Sequence, residues 1–167
     1  MRGRNRAWVL LPAVLLILAV AGVLASSFQI ELGLMSPGKG ERAAVAAMIE
    51  ARDLSVGAGA EDYSVFSHSL LVADVAQENA APTNAADVRV DNLLADALDC
   101  LQALREAWQA DIEGLWDPQA YGAPIYWNKL HPSLDISAEG LLAPDAVREA
   151  ARARASEWIG RALDLVD

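Results

Sequence analysis

Tyr126, Trp127, Asn128 and His131 crowd into a few residues, and their types suit chemistry or recognition better than any other cluster in the chain. His131 stands beside Lys129 and Pro132 with Asp117 and Asp135 near it in sequence, so proton transfer by an imidazole paired with a carboxylate is the catalysis it could support. Tyr126 and Trp127 each offer apolar area with a polar handle, which suits a surface that holds a glycan, a peptide or a partner helix. These four residues are the candidate ligand or partner site, and no residue is assigned a catalytic role.

Other constellations lack the company their chemistry needs. His68 and His131 are the only imidazoles and Cys100 the only thiol, with no His-x-x-x-His, Cys-x-x-Cys or calcium-loop spacing, so no metal site and no cofactor is expected. Ser36-Pro37-Gly38-Lys39 matches the Ser-x-x-Lys of penicillin-binding enzymes but has no Ser-Asp-Asn or Lys-Thr-Gly partner. Gly57-Ala58-Gly59 is followed by Asp62 where a dinucleotide loop needs its third glycine. Cys100 reads as a small buried thiol, or as a residue linking two copies in an oxidising compartment. With 13 basic against 23 acidic residues, the chain is a poor partner for nucleic acid.

The candidate site lies in a stretch of about 30 residues, 114–143, rich in Pro and aromatics, between two periodic segments. Its rings argue for an ordered loop over one end of a helical core. Before it, Val90, Leu94, Ala97, Leu101, Leu104 and Trp108 recur at alternating spacings of 4 and 3, continuing to Ile112 and Leu115, which predicts a long helix over 85–114. Asp99, Gln102, Glu106, Gln109 and Glu113 then form its solvated face. After the loop, Pro144 opens a helix over 143–166 whose apolar face is Val147, Ala151, Ala155, Trp158, Ala162 and Leu165. Arg148, Arg152, Arg154 and Arg161 read as solvating charges that pair with the acidic face of the long helix.

Two helices precede these. Ala44, Ala47, Met48, Ala51 and Leu54 predict one over 41–56. Residues 60–80 alternate as a strand would at Phe66, His68, Leu70 and Val72, but Tyr63, Phe66, Leu70 and Ala73 also fit a helix. The length without Gly or Pro favours the helix, with His68 partly buried on it. Pro82-Thr83-Asn84 ends it and caps the long helix.

At the N-terminus, Arg2, Arg4 and Arg6 precede residues 7–30, which carry no charge until Glu31. Such a run is long enough for the roughly 30 Å hydrocarbon core, and the arginines place the N-terminus in the cytoplasm. The competing reading is a cleaved signal peptide, since Ala25-Ser26-Ser27 supplies small residues after the apolar run. Both readings put the acidic body outside. A preference for Arg over Lys, 11 to 2, fits a bacterial origin.

The expected architecture is all-α: a transmembrane signal anchor over residues 1–30, a linker over 31–40, and an extracytoplasmic domain over 41–167 resembling an antiparallel four-helix bundle with one aromatic loop. The expected function is a membrane-anchored interaction module of the cell envelope that binds an envelope protein or a second copy of itself. The alternative is a small envelope enzyme or hydrolase accessory with its site on the 114–143 loop.

Overall fold

The structure is a computed structural model that describes residues 38–57 and 59–166. The anchor expected at 7–30 lies outside the described residues, and no helix among them is long and apolar enough to cross a membrane. The described chain is all-helical, with six helices: α1 (Lys39–Leu54), α2 (Ala60–Glu78), α3 (Ala85–Ile112), α4 (Pro118–Tyr121), α5 (Pro124–Leu130) and α6 (Pro144–Val166).

The spine is α3. Val90, Leu94, Ala97, Leu101, Leu104 and Trp108 are all buried, so the alternating seam is the core, broadened by Cys100, Ala103 and Ala107. A seam this long needs several partners. The largest interface is between α3 and α6, α2 packs on both α1 and α3, and α1 also touches α3 and α6. Contacts at both ends set the directions. Tyr63 of α2 meets Gln109 while Gln77 meets Asp91, so α2 and α3 run opposite ways. Arg42 donates to the carbonyl of Val166, and Arg152 donates to the carbonyl of Ser55, so α1 and α6 do too.

The ends of α3 are set by local chemistry. Asn84 caps it by accepting from the backbone N–H groups of Ala86 and Asp87. Asp87 reaches back to accept from the Thr83 hydroxyl and backbone N–H and from the Asn84 amide. At the other end Gly114 sits at φ 67, with the N–H of Leu115 on the carbonyl of Ala110 and that of Gly114 on Asp111. This left-handed glycine cap turns the chain away. It corrects the expectation that the seam runs on through Ile112 and Leu115, which are 41% and 60% exposed.

Other expectations also change. The first helix begins at Lys39 and so takes in Lys39 and Gly40 from the expected linker. Gly40 lies against the turn after α2, where a Cβ would come within 2.9 Å of the carbonyl oxygen of Ala80. On α2 the helical face is the buried one, through Phe66, Leu70 and Ala73, while His68 is exposed rather than partly buried. On α6, Ile159 takes the core position expected of Trp158, which is half-buried, and Leu165 faces outward.

The α6 arginines do not pair with the acidic face of α3. The Arg148 side chain is buried, with its guanidinium 4.2 Å from the centroid of the Trp108 ring, and it donates to Asp145 and to the carbonyl of Gly57. A desolvated cation over an indole is worth about 2 kcal/mol. Arg152 donates to both the hydroxyl and the carbonyl of Ser55. Together they clamp the turn after α1, where cations also complement the negative end of the helix dipole. Arg161 lies over Trp158.

This packing can be tested at two positions. Leu101→Ala should cost about 2–5 kcal/mol in chemical denaturation, as for a fully buried leucine that leaves a cavity. At Asp87, the Thr83 hydroxyl above all holds the carboxyl below the usual carboxylate range. A folded pKa below the unfolded one stabilises fully above the unfolded value, about 4, and that stability is lost as pH falls through the folded value. The melting-temperature gap between the wild-type chain and Asp87→Ala should therefore hold from neutral pH to about 5 and narrow on further acidification. A gap that stays constant into strong acid would contradict this.

Candidate functional site

The segment 114–143 is built from residue-level caps. Asp117 accepts the N–H of Gln119, and Pro118 opens α4. Pro124 opens α5 in the same way. These two short helices replace the irregular loop expected there. Leu142 donates its N–H to the carbonyl of Gly122, which closes the segment near its far end.

Inside it the rings form one connected set. Trp127 lies between Trp116 and His131, with centroids at 6.0 and 6.1 Å and planes within 13° and 19° of parallel. Its indole N–H donates to the carbonyl of Tyr121 at 2.6 Å. Tyr126 meets Trp127 and Tyr121 edge-on. Such ring pairs add roughly 0.5–1.5 kcal/mol each beyond the area they bury.

His131 fastens this set to α3. Its Nδ1 is 2.9 Å from Asp99 and its Nε2 is 3.3 Å from Glu106, with the residue only 4% exposed. Ionised carboxylates only accept, so both bonds are satisfied together when both ring nitrogens carry protons. Ser133 adds to the attachment. Its N–H donates to Asp99, its hydroxyl donates to Asp96, and its carbonyl accepts from the Cys100 thiol and the Trp158 indole. Asn128 both donates to and accepts from the backbone of Ile136, which braces 128–136 across its width.

The four candidate residues are thus brought together, in unequal roles. Trp127 is buried, which corrects the expectation that it and Tyr126 both offer a surface to a ligand or partner. Trp116, Tyr121 and Tyr126 are all half-buried. The reason is position on α5: Trp127 and His131 are four residues apart and share its inward side, where His131 meets α3, while Ile125 is 77% exposed. The expected partners of His131 are not its partners. Asp117 serves as a cap, and Asp135, at φ 46, pairs with Arg154.

Asp96, Asp99, Glu106 and Ser133 are the residues that sequence reasoning missed at this site. Helical amphipathicity alone assigns Asp99 and Glu106 to a solvated face, yet Ala103, between them on that face, is fully buried. An alanine flanked by carboxylates one turn away on either side was the available signal that something packs there closely. Gln109 and Glu113, further along, do remain exposed and bond to each other.

The chemistry open to the site is set by these contacts. Among the described residues no group of three or more His, Cys, Asp and Glu side chains is arranged to hold a metal ion, and Asp99 and Glu106 meet opposite sides of the imidazole. The Tyr126 phenol is raised above its ordinary pKa, first by burial and then by Tyr121 and Glu106. Burial, with the charge of Asp99 next, pushes the Cys100 thiol up to about 12. It stays protonated and enclosed at neutral pH. A groove of about 580 Å³ runs beside this segment, between Leu134–Ala138 and the α6 residues Ala150, Ala153, Arg154 and Glu157. Arg154 is held there by Asp135 and Glu157.

Comparison with known proteins finds no family model, no curated protein and no solved structure that matches the chain.

Trp127→Ala should lower stability by about 3–5 kcal/mol and Ile125→Ala by no more than about 0.5, measured by denaturant unfolding. Equal losses would remove the assignment of Trp127 to the core. Cys100 in the folded chain should react with a small thiol reagent only as fast as the domain opens, so labelling should accelerate with denaturant in step with unfolding. Rapid labelling in native buffer would show that the thiol is not enclosed.

Proposed function

We propose that the chain is a membrane-anchored, extracytoplasmic interaction module of the cell envelope that recognises a partner with the aromatic cap formed by residues 114–143. In this reading residues 7–30 form the membrane anchor, with Arg2, Arg4 and Arg6 on the cytoplasmic side, and the acidic body is an antiparallel four-helix bundle. The observation that carries it is the division of labour within the cap. His131 is bonded to α3 and Trp127 is buried against the His131 ring, while Tyr126, Trp116 and Tyr121 stay partly open and Ile125 is exposed. Aromatic anchors held rigidly before binding lose little entropy when a partner arrives, which is how a small surface gains affinity. Tyr126 and Asn128 supply the half-exposed contacts, and Trp127 and His131 support them from below.

The enzyme reading ranks second. The bond from His131 Nδ1 to Asp99 is the kind that orients a general base. The nitrogen that would then face a substrate is on Glu106 instead, and the ring is enclosed.

A photo-crosslinking residue at Ile125 should give a discrete protein adduct in intact cells, whereas one at the exposed Arg89, on the first turns of α3, should not. No adduct at Ile125 in a well-expressed variant would leave the cap without a binding role. A cysteine introduced at the exposed Glu139 should label with an impermeant reagent in intact spheroplasts, since Cys100 is silent. Labelling only after lysis would reverse the orientation.

A further inference from the structure

A second surface left open among the described residues has no residue in common with the cap. On α2, Phe66, Leu70 and Ala73 face the core, yet the opposite side is apolar too: Val65, Leu71, Val72 and Val75 are 53%, 59%, 48% and 47% exposed. With the exposed His68 they follow spacings of 3 and 4, so they form one stripe along the helix. A helix with apolar residues on two opposite sides is suited to a place where both are covered, and among the described residues α2 packs on α1 and α3 through the side that carries Phe66, Leu70 and Ala73. Single exposed apolar residues mean little, but a contiguous row of them along one helix face is a surface that a partner can cover.

Charge selects the occupant. The residues of α2 include Glu61, Asp62, Asp74 and Glu78 and no Lys or Arg. Pairing with a second copy sets like charges together in either direction: a parallel pair matches each acid with itself, and an antiparallel pair centred on the stripe brings Glu61 and Asp62 to the end that carries Glu78. Anionic lipid is repelled by the same groups. We propose that the outward face of α2 is the docking surface for a cationic amphipathic helix of a partner protein. Its apolar residues, at i, i+3, i+4 and i+7, lie on Val65, Leu71, Val72 and Val75, and its Lys or Arg residues reach the acids at each end. Glu61 and Glu78 are separated by about 25 Å along the helix axis at about 1.5 Å per residue, so the docked segment is about five turns long. The acids set orientation and approach rate, and the stripe supplies the buried area.

The test uses the full-length chain in nanodiscs of zwitterionic lipid, with empty nanodiscs as reference. The probe is a fluorescent Leu/Lys peptide of about five helical turns, apolar on one face. Saturable one-to-one binding is expected, read by anisotropy. Leu71→Ser with Val72→Ser should weaken it about tenfold or more, and Glu61→Gln with Glu78→Gln should weaken it and flatten its dependence on salt. Both pairs are at exposed positions, so melting temperatures should hold. A Leu/Glu peptide of the same pattern should not bind. The assignment is overturned if the peptide fails to bind, if neither pair of substitutions weakens binding, or if the Leu/Glu peptide binds equally well. Peptide-free dimers in sedimentation velocity that dissociate in Leu71→Ser with Val72→Ser would give the face to a second copy and overturn it too.

Discussion

The burial of α3 on more than one side is the constraint on which the rest of the domain depends. A helix with a leucine-rich seam and a cation-bearing indole contact at Trp108 needs covering along most of its length, and α2, α6 and α1 supply that cover. The remaining side of α3, with Asp96, Asp99 and Glu106, is too polar for another helix seam. It is covered instead by a segment that brings matching donors, the imidazole of His131 and the N–H and hydroxyl of Ser133. Burying those carboxylates unpaired would be costly, so the polar contacts decide where the cap sits, and the rings decide how firmly.

The periodic helices were legible because each is long enough to show its apolar spacing several times over. α3 shows this best, since all six seam residues from Val90 to Trp108 are buried. On α6 the spacing alone could not choose between Trp158 and Ile159, which are neighbours on the helical surface; the bond from the Trp158 indole to Ser133 draws the larger ring to the side. Neither α4 nor α5 spans enough turns to display a period, so two helices read as a loop. Their prolines were visible, but Pro signals a first helical position only when something else marks the helix.

At the site, residue types were readable and partners were not. His131 was conspicuous, yet its carboxylates lie 25 and 32 residues away on a face that helical amphipathicity assigns to solvent. Contact at such a distance depends on how the chain returns after Gly114, and no local pattern encodes that. The arginines of α6 misled for a related reason. Charged residues are exposed unless paired, and their partners, carbonyls at the turn after α1, have no side-chain signature.

The attachment of Ser133 bears on how the cap can vary in length. Its N–H, hydroxyl and carbonyl are all occupied, by residues of two different helices, and Asn128 fixes the spacing to Ile136 with a bond in each direction. An inserted residue anywhere between Trp127 and Ile136 would put several of these groups out of step at once. From Ser137 to Leu141 the chain is exposed and makes no comparable set of bonds among the described residues, so added residues there would bulge into solvent and leave the register on either side intact. Related chains should therefore keep the distance from the tryptophan to the isoleucine fixed and differ in length just beyond it.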